Sequence, residues 1–167
     1  LSYDALQQRE PQTKINALGA LIFKCDAHLY PDKLMQSLKQ HLIAQNVNFV
    51  YGEEVQAFEK LNGAIKKIVT DKKIYEADAM VIAAGAWSRE LAAMISVKFP
   101  MMPGRGYSLT LENSSYHLNH PAILVEGRVA ITPMDGNKIR FGGTMEVVPT
   151  NTAPQYHRIE GILQSVK

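Results

Sequence analysis

Ala79-Met80-Val81-Ile82-Ala83-Ala84-Gly85-Ala86-Trp87-Ser88 decides how the chain is to be folded. Its first six residues are apolar at every position. A half-exposed strand would alternate, so the run predicts a strand buried on both faces, as in a parallel sheet. Gly85 ends it, and a helical pattern starts at once and runs to Met94. Ala83-Ala84-Gly85 leave the main chain bare of bulk at the strand's carboxyl end, where a phosphate or ring can approach closely. The unpaired N–H groups of the following helix face the same corner. Open α/β sheets bind ligands there; a tight strand-to-helix turn without a ligand is the competing reading.

Upstream, Pro31 marks a helix start, because its missing N–H had no partner at the first helical position. Leu34, Leu38 and Leu42, flanked by Met35 and Ile43, form one apolar stripe at helical spacing, and Asn46 is the expected stop. Val47, Phe49 and Tyr51 alternate with Asn48 and Val50, as in a short strand. Asn62-Gly63 is a two-residue hairpin signal, since both positions of a type I′ turn need positive φ. Asp71-Lys72-Lys73 is a weaker one. Strands are expected at Val55 to Lys60, Ala64 to Thr70 and Ile74 to Ala77. Before Pro31, a polar stretch from Gln7 to Lys14 precedes an apolar run whose Leu21, Ile22 and Phe23 suit a strand.

Downstream of Pro100 the pattern changes. Tyr107 to Leu111, Ala122 to Glu126, Val129 to Thr132 and Lys138 to Phe141 are strand-like and separated by Gly127-Arg128 and Met134-Asp135-Gly136-Asn137, which predicts an antiparallel sheet. Tyr156, Ile159, Leu163 and Val166 then space an amphipathic helix. The expected fold class is α+β. Residues 1–30 and 98–167 make one lobe around the antiparallel sheet, and residues 31–97 are an inserted α/β lobe. Leu1-Ser2-Tyr3-Asp4 has no start methionine and no signal-peptide layout, so the chain reads as the inside of a longer protein, truncated at both ends.

Composition narrows the function. The apolar fraction of 46% and charged fraction of 20% are those of a globular protein. A net charge of +2, with no basic stripe, argues against nucleic acid as a partner. The single cysteine, Cys25, permits no internal disulfide and no thiolate zinc site; it fits a reducing, cytoplasmic setting and reads as a small buried hydrophobe. His117 and His120 lie three apart in a polar loop and read as solvated, so no metal site is expected. No triad and no P-loop is visible.

Two further glycine motifs stand out. Pro103-Gly104-Arg105-Gly106-Tyr107 holds one arginine on an unusual backbone path, where a guanidinium can stabilise negative charge or hold a carboxylate; a surface turn with its arginine in water is the alternative. Phe141-Gly142-Gly143-Thr144-Met145-Glu146 runs a strand into two glycines, as happens where something bulky approaches the backbone or where the strand bulges.

Taken in order, these segments resemble the amino-acid oxidase family of flavoproteins, which includes glycine oxidase, sarcosine oxidase and D-amino acid dehydrogenase. The markers are Tyr30-Pro31, Glu54-Val55, Ala83 to Ser88, Arg105-Gly106-Tyr107-Ser108-Leu109-Thr110 and Gly142 to Glu146. The Gly-Tyr-Ser-Leu-Thr run, Ala130-Ile131-Thr132-Pro133 and Ile139 to Gly143 are most similar to the D-amino acid dehydrogenases.

The resemblance implies FAD as cofactor, with residues 31–97 as part of the FAD-binding lobe and the antiparallel sheet as the substrate lobe. Val55 would touch the adenine end, Ala84 and Gly85 the pyrophosphate and ribose with Trp87 close by, and Arg105 and Gly106 the isoalloxazine. Tyr107 and Thr144 would face the substrate side, with Arg105 and Tyr107 as catalytic residues. It implies oxidative deamination of a small-molecule amino acid by hydride transfer from the α-carbon to flavin N5. By resemblance electrons pass to a quinone, with peripheral attachment to the inner membrane. Rival readings are a glycine or sarcosine oxidase, a glycerol-3-phosphate dehydrogenase relative, and a non-catalytic α/β binding module. The family's Gly-x-Gly-x-x-Gly and its C-terminal substrate arginine have no counterpart here, and Tyr30 stands where an acidic residue is usual. The isolated chain is therefore expected to be inactive and to bind FAD weakly or not at all.

Overall fold

The computed structural model describes residues 1–167. In chain order its elements are helix α1 (Tyr3–Arg9), helix α2 (Pro31–Ala44), strands β1 (Val55–Leu61), β2 (Ala64–Thr70) and β3 (Ile74–Glu76), and helix α3 (Ser88–Met94), entered through a 3-10 turn at Gly85–Trp87. Strands β4 (Gly104–Leu111), β5 (Ala122–Leu124), β6 (Val129–Met134) and β7 (Lys138–Val147) and helix α4 (His157–Ser165) follow. The chain divides into two compact units, Leu1–His28 with Pro103–Lys167, and Leu29–Met102. No helix is long and apolar enough to cross a membrane.

In the first unit, β4-β7-β6-β5 form an antiparallel sheet. Turn chemistry sets its register: Arg128 at φ 51° closes β5 on β6, and Gly136 at 73° with Asn137 at 56° closes β6 on β7. Helix α4 lies against β4 and β7. Its Ile162, 2% exposed, meets Tyr107 and Val129, with Leu109, Ile131, Phe141, Ile159 and Val166 around them. Each fully buried aliphatic side chain here contributes about 1.5–3 kcal/mol. A Cβ on Gly143 would sit 3.2 Å from Val129 and 3.3 Å from Ile162, so the glycine is what lets helix and sheet approach. Helix α1 is capped by Ser2, whose Oγ accepts from the Ala5 amide, a cap that the polar composition of the segment concealed. Glu10, at its end, is buried and accepts from the amides of Asn119 (2.7 Å) and His120 (3.1 Å), while His120 Nδ1 lies 2.6 Å from the same carboxylate.

In the second unit, β1-β2-β3 form an antiparallel meander. Asn62 and Gly63 take φ of 54° and 79°, as the hairpin signal requires. Helix α2 starts at Pro31, and Asn46 follows it at φ 63°.

Several expectations are corrected. Ala79 to Ala84 is not a buried parallel strand: none of the seven strands pairs with it, and Val81 is 88% exposed. Val47 to Tyr51 and Leu21 to Phe23 are likewise no strands, and Ile74 to Glu76 ends one residue short of the expected Ala77. An extended segment becomes a sheet strand only through a neighbour's hydrogen bonds, and nothing in the chain supplies one here. Cys25 is exposed rather than buried, in a segment whose Leu21 and Phe23 are themselves 85% and 70% exposed.

Candidate functional site

A bulge divides the sheet of the first unit. Gly106 pairs with Met145 and Tyr107 with Gly143, so Thr144 is the extra residue on β7. Its φ is 50°, the left-handed region that a β-branched residue rarely enters. Such a bulge sharpens the twist and re-aims the side chains beyond it. Before it, alternate residues of β7 point to opposite faces; Gly143 faces α4 and Gly142 faces away. After it the alternation is offset by one, which delivers Glu146 to the α4 side.

On the face away from α4 lies an open groove of about 740 Å³, lined in part by Gly106, Ser108, Arg128, Arg140, Gly142 and Met145. A Cβ on Gly106 or on Gly142 would meet nothing within 4 Å. These glycines are therefore not demanded by protein packing; they leave a side-chain-free strip that a flat ring can lie against, and a Cβ would fill it. Arg140 Nη2 donates to Ser108 Oγ at 3.1 Å on this face. The groove carries two guanidinium groups and no carboxylate among those residues, so it favours anionic ligands.

On the α4 side the chemistry is a buried charge cluster. Glu146, 4% exposed in its side chain, faces Arg105 Nη1 at 3.5 Å and Arg158 Nε at 3.3 Å. The Tyr107 hydroxyl donates to Glu146 Oε1 at 2.6 Å and accepts from the Gln155 amide at 2.8 Å. Arg105 also donates to the Thr150 carbonyl. Arg158 Nη1 donates to Thr144 Oγ1 at 2.7 Å and reaches the Met145 carbonyl at 3.5 Å.

Of the residues expected at the site, Arg105, Gly106, Tyr107 and Thr144 therefore come together. Gly106, Tyr107 and Thr144 line the groove. Arg105 turns its guanidinium to the Glu146 side, and the groove's cations are Arg128 and Arg140 instead. The sequence reading missed the roles of Glu146 and Arg158. The available signal was the Gly-Gly-Thr run ahead of a glutamate, a bulge that places an acid on the packed face.

The second unit holds the other expected residues. Val55 heads β1 and pairs with Thr70. Ala84 accepts from the Trp87 amide at 3.1 Å, and Gly85, at φ 53° with open space where a Cβ would be, is set by its backbone conformation. Trp87 is 61% exposed. Next to Val55, Glu53 accepts from the hydroxyls of Thr70 and Tyr75, both at 2.8 Å. Burial pushes its carboxyl up, but the two hydroxyls and the charges of Lys73 and Lys72 outweigh that and hold it below the ordinary value. Lys73, over the Tyr75 ring at 4.9 Å, is raised by Tyr75 and Glu53.

The chain belongs to the FAD dependent oxidoreductase family, whose model matches residues 1–167. It is 32% identical over 124 residues to a D-amino acid dehydrogenase of Bradyrhizobium diazoefficiens, covering 73% of this chain and 28% of that protein. To a D-amino acid dehydrogenase of Vibrio atlanticus it is 34% identical, with the same coverage. The chain thus spans under a third of the length of these relatives. Among solved structures it is similar to glycine oxidase from Bacillus cereus, with a TM-score of 0.83 and 22% identity over 99% of this chain and 46% of that one. L-proline dehydrogenase from P. horikoshii gives 0.82 and 19%, with the same coverage. These two show the fold.

Proposed function

We propose that this chain is part of an FAD-dependent enzyme that oxidatively deaminates an amino acid, of the D-amino acid dehydrogenase kind. The observation that carries it is the strip at Gly106 and Gly142, kept free of side chains although packing does not require it. It suits the flat isoalloxazine. A bound FAD would supply the redox chemistry, as acceptor at N5 for a hydride from the substrate's α-carbon; the protein supplies orientation and charge. Arg128 and Arg140 give the groove positive charge for an anion such as the substrate carboxylate. Gly106 and Thr144 form its floor and wall, and Tyr107 and Arg105 support it from behind. For Val55, Ala84, Gly85 and Trp87 of the second unit, contact with the dinucleotide rests on the family resemblance alone. The imino acid formed hydrolyses to a keto acid and ammonia, and electrons go to a quinone at a membrane surface.

The glycine-type amine substrates are the second reading, favoured by the likeness of fold to glycine oxidase. Anaerobic mixing of the flavoprotein with candidate substrates separates them. Bleaching of the flavin by D-amino acids and not their L-enantiomers is the expected result. Bleaching by glycine or sarcosine, or by glycerol 3-phosphate, would move the assignment, and a full-length enzyme containing this chain that takes up no flavin would end it.

A further inference from the structure

The Thr144 bulge is costly, and something must hold it. A non-glycine residue in the left-handed region is strained, and Thr144, at φ 50°, is β-branched as well as exposed. Its hydroxyl accepts from Arg158, which also reaches the next carbonyl, that of Met145. Arg158 is in turn tied to buried Glu146, which the bulge itself turned toward α4. The loop of cause is closed: the bulge buries the acid, the acid holds the arginine, and the arginine holds the bulge.

We infer that Arg158 and Glu146 are positioning residues for the groove. They act through the sheet from α4, fixing Thr144 and Met145, which line the groove on the other side. As a statement about function this rests on the flavin reading of that groove; as a statement about the bulge it does not. Three features favour it over a purely structural ion pair. Arg158 contacts the strained residue directly at 2.7 Å. Arg105 and Arg158 place two guanidiniums on one carboxylate, more charge than the core needs. The strained residue and its neighbour are the groove's wall.

The test is residue-resolved amide exchange on the protein and on Arg158→Ala, Thr144→Gly and the double variant. Arg158→Ala is expected to speed exchange across Gly104–Gly106 and Met145–Val147 about tenfold, the opening that roughly 1.4 kcal/mol of released strain produces. Tyr107–Leu111 and Ile139–Gly142 stay unchanged. Glycine accepts positive φ without strain, so the double variant regains the original exchange. If Arg158→Ala does not fold, Arg158→Lys keeps the charge but cannot serve Thr144 and Glu146 from two separate nitrogens, and gives the same local pattern. Exchange that rises evenly along β4 and β7, or that glycine does not restore, overturns the inference. FAD titration of the full-length enzyme carrying the same substitutions separates the two readings. A local exchange pattern with unchanged flavin affinity would overturn the flavin assignment of the groove and leave the latch standing.

Discussion

Gly142 and Gly143 are neighbours with opposite tasks, and alanine at each reads them separately. A Cβ on Gly143 lands 3.2 Å from Val129 Cγ2, 3.3 Å from Ile162 Cγ1 and 3.4 Å from the Arg128 carbonyl. The two side-chain contacts are tight, and Val129 and Ile162 are 1% and 2% exposed, with little room to yield. Overpacking of this kind costs about 1–3 kcal/mol. Restricting the unfolded chain by replacing glycine gives back about 0.4–1 kcal/mol. The clash wins, leaving Gly143→Ala about 1–2 kcal/mol less stable. With an m-value near 2 kcal/mol/M the urea midpoint falls by about 0.5–1 M, followed through the amide signals of β6 and β7. At Gly142 nothing lies within 4 Å, so only the unfolded-state gain applies and Gly142→Ala is as stable as the parent or about 0.4–1 kcal/mol more stable. Its methyl projects into the groove, and in the full-length enzyme the same substitution lowers flavin affinity about tenfold or more, a loss of ~1.4 kcal/mol of contact. Equal destabilisation by both variants would refute the assignment of the two faces. Undiminished flavin binding by Gly142→Ala would refute the groove as the flavin's seat.

Glu10→Ala leaves the Asn119 and His120 amides without their buried acceptor; the first unit should lose about 2 kcal/mol, read as a lower urea midpoint and faster exchange at those two amides, with Glu10→Gln losing less. Glu53 carries a depressed carboxyl value, so its stabilisation of the β2–β3 turn is present above the unfolded value of about 4.3 and is lost as pH falls through the folded one. Amide protection at Thr70 to Tyr75 should therefore fall on acidification through the carboxylate range, and Glu53→Gln should abolish that dependence.

Apart from α1, which the sequence reading did not expect, the chain's helices and hairpin turns were legible because their signals are conformational preferences of single residues. Pro31 starts a helix wherever it stands free to do so, Asn62-Gly63 closes a hairpin by its own φ values, and the spacing from Tyr156 to Val166 needs only the helical period. The antiparallel strands of the first unit were legible for the same reason, being punctuated by residues that turn the chain. The glycine motifs were visible too, and with them the family and its cofactor.

What only tertiary structure decided was whatever depends on a distant partner. Ala79 to Ala84 has the composition of a buried strand, yet burial needs neighbours, and hydropathy does not say whether they are at hand. Cys25 is apolar enough to be buried but lies in an exposed segment. Glu146 reads as a polar strand residue until one extra residue at Thr144 reverses the faces of everything after it. A one-residue offset in a period of two cannot be seen without the partner strand's register, and so the cluster of Glu146, Arg105, Tyr107 and Arg158 exists only in three dimensions.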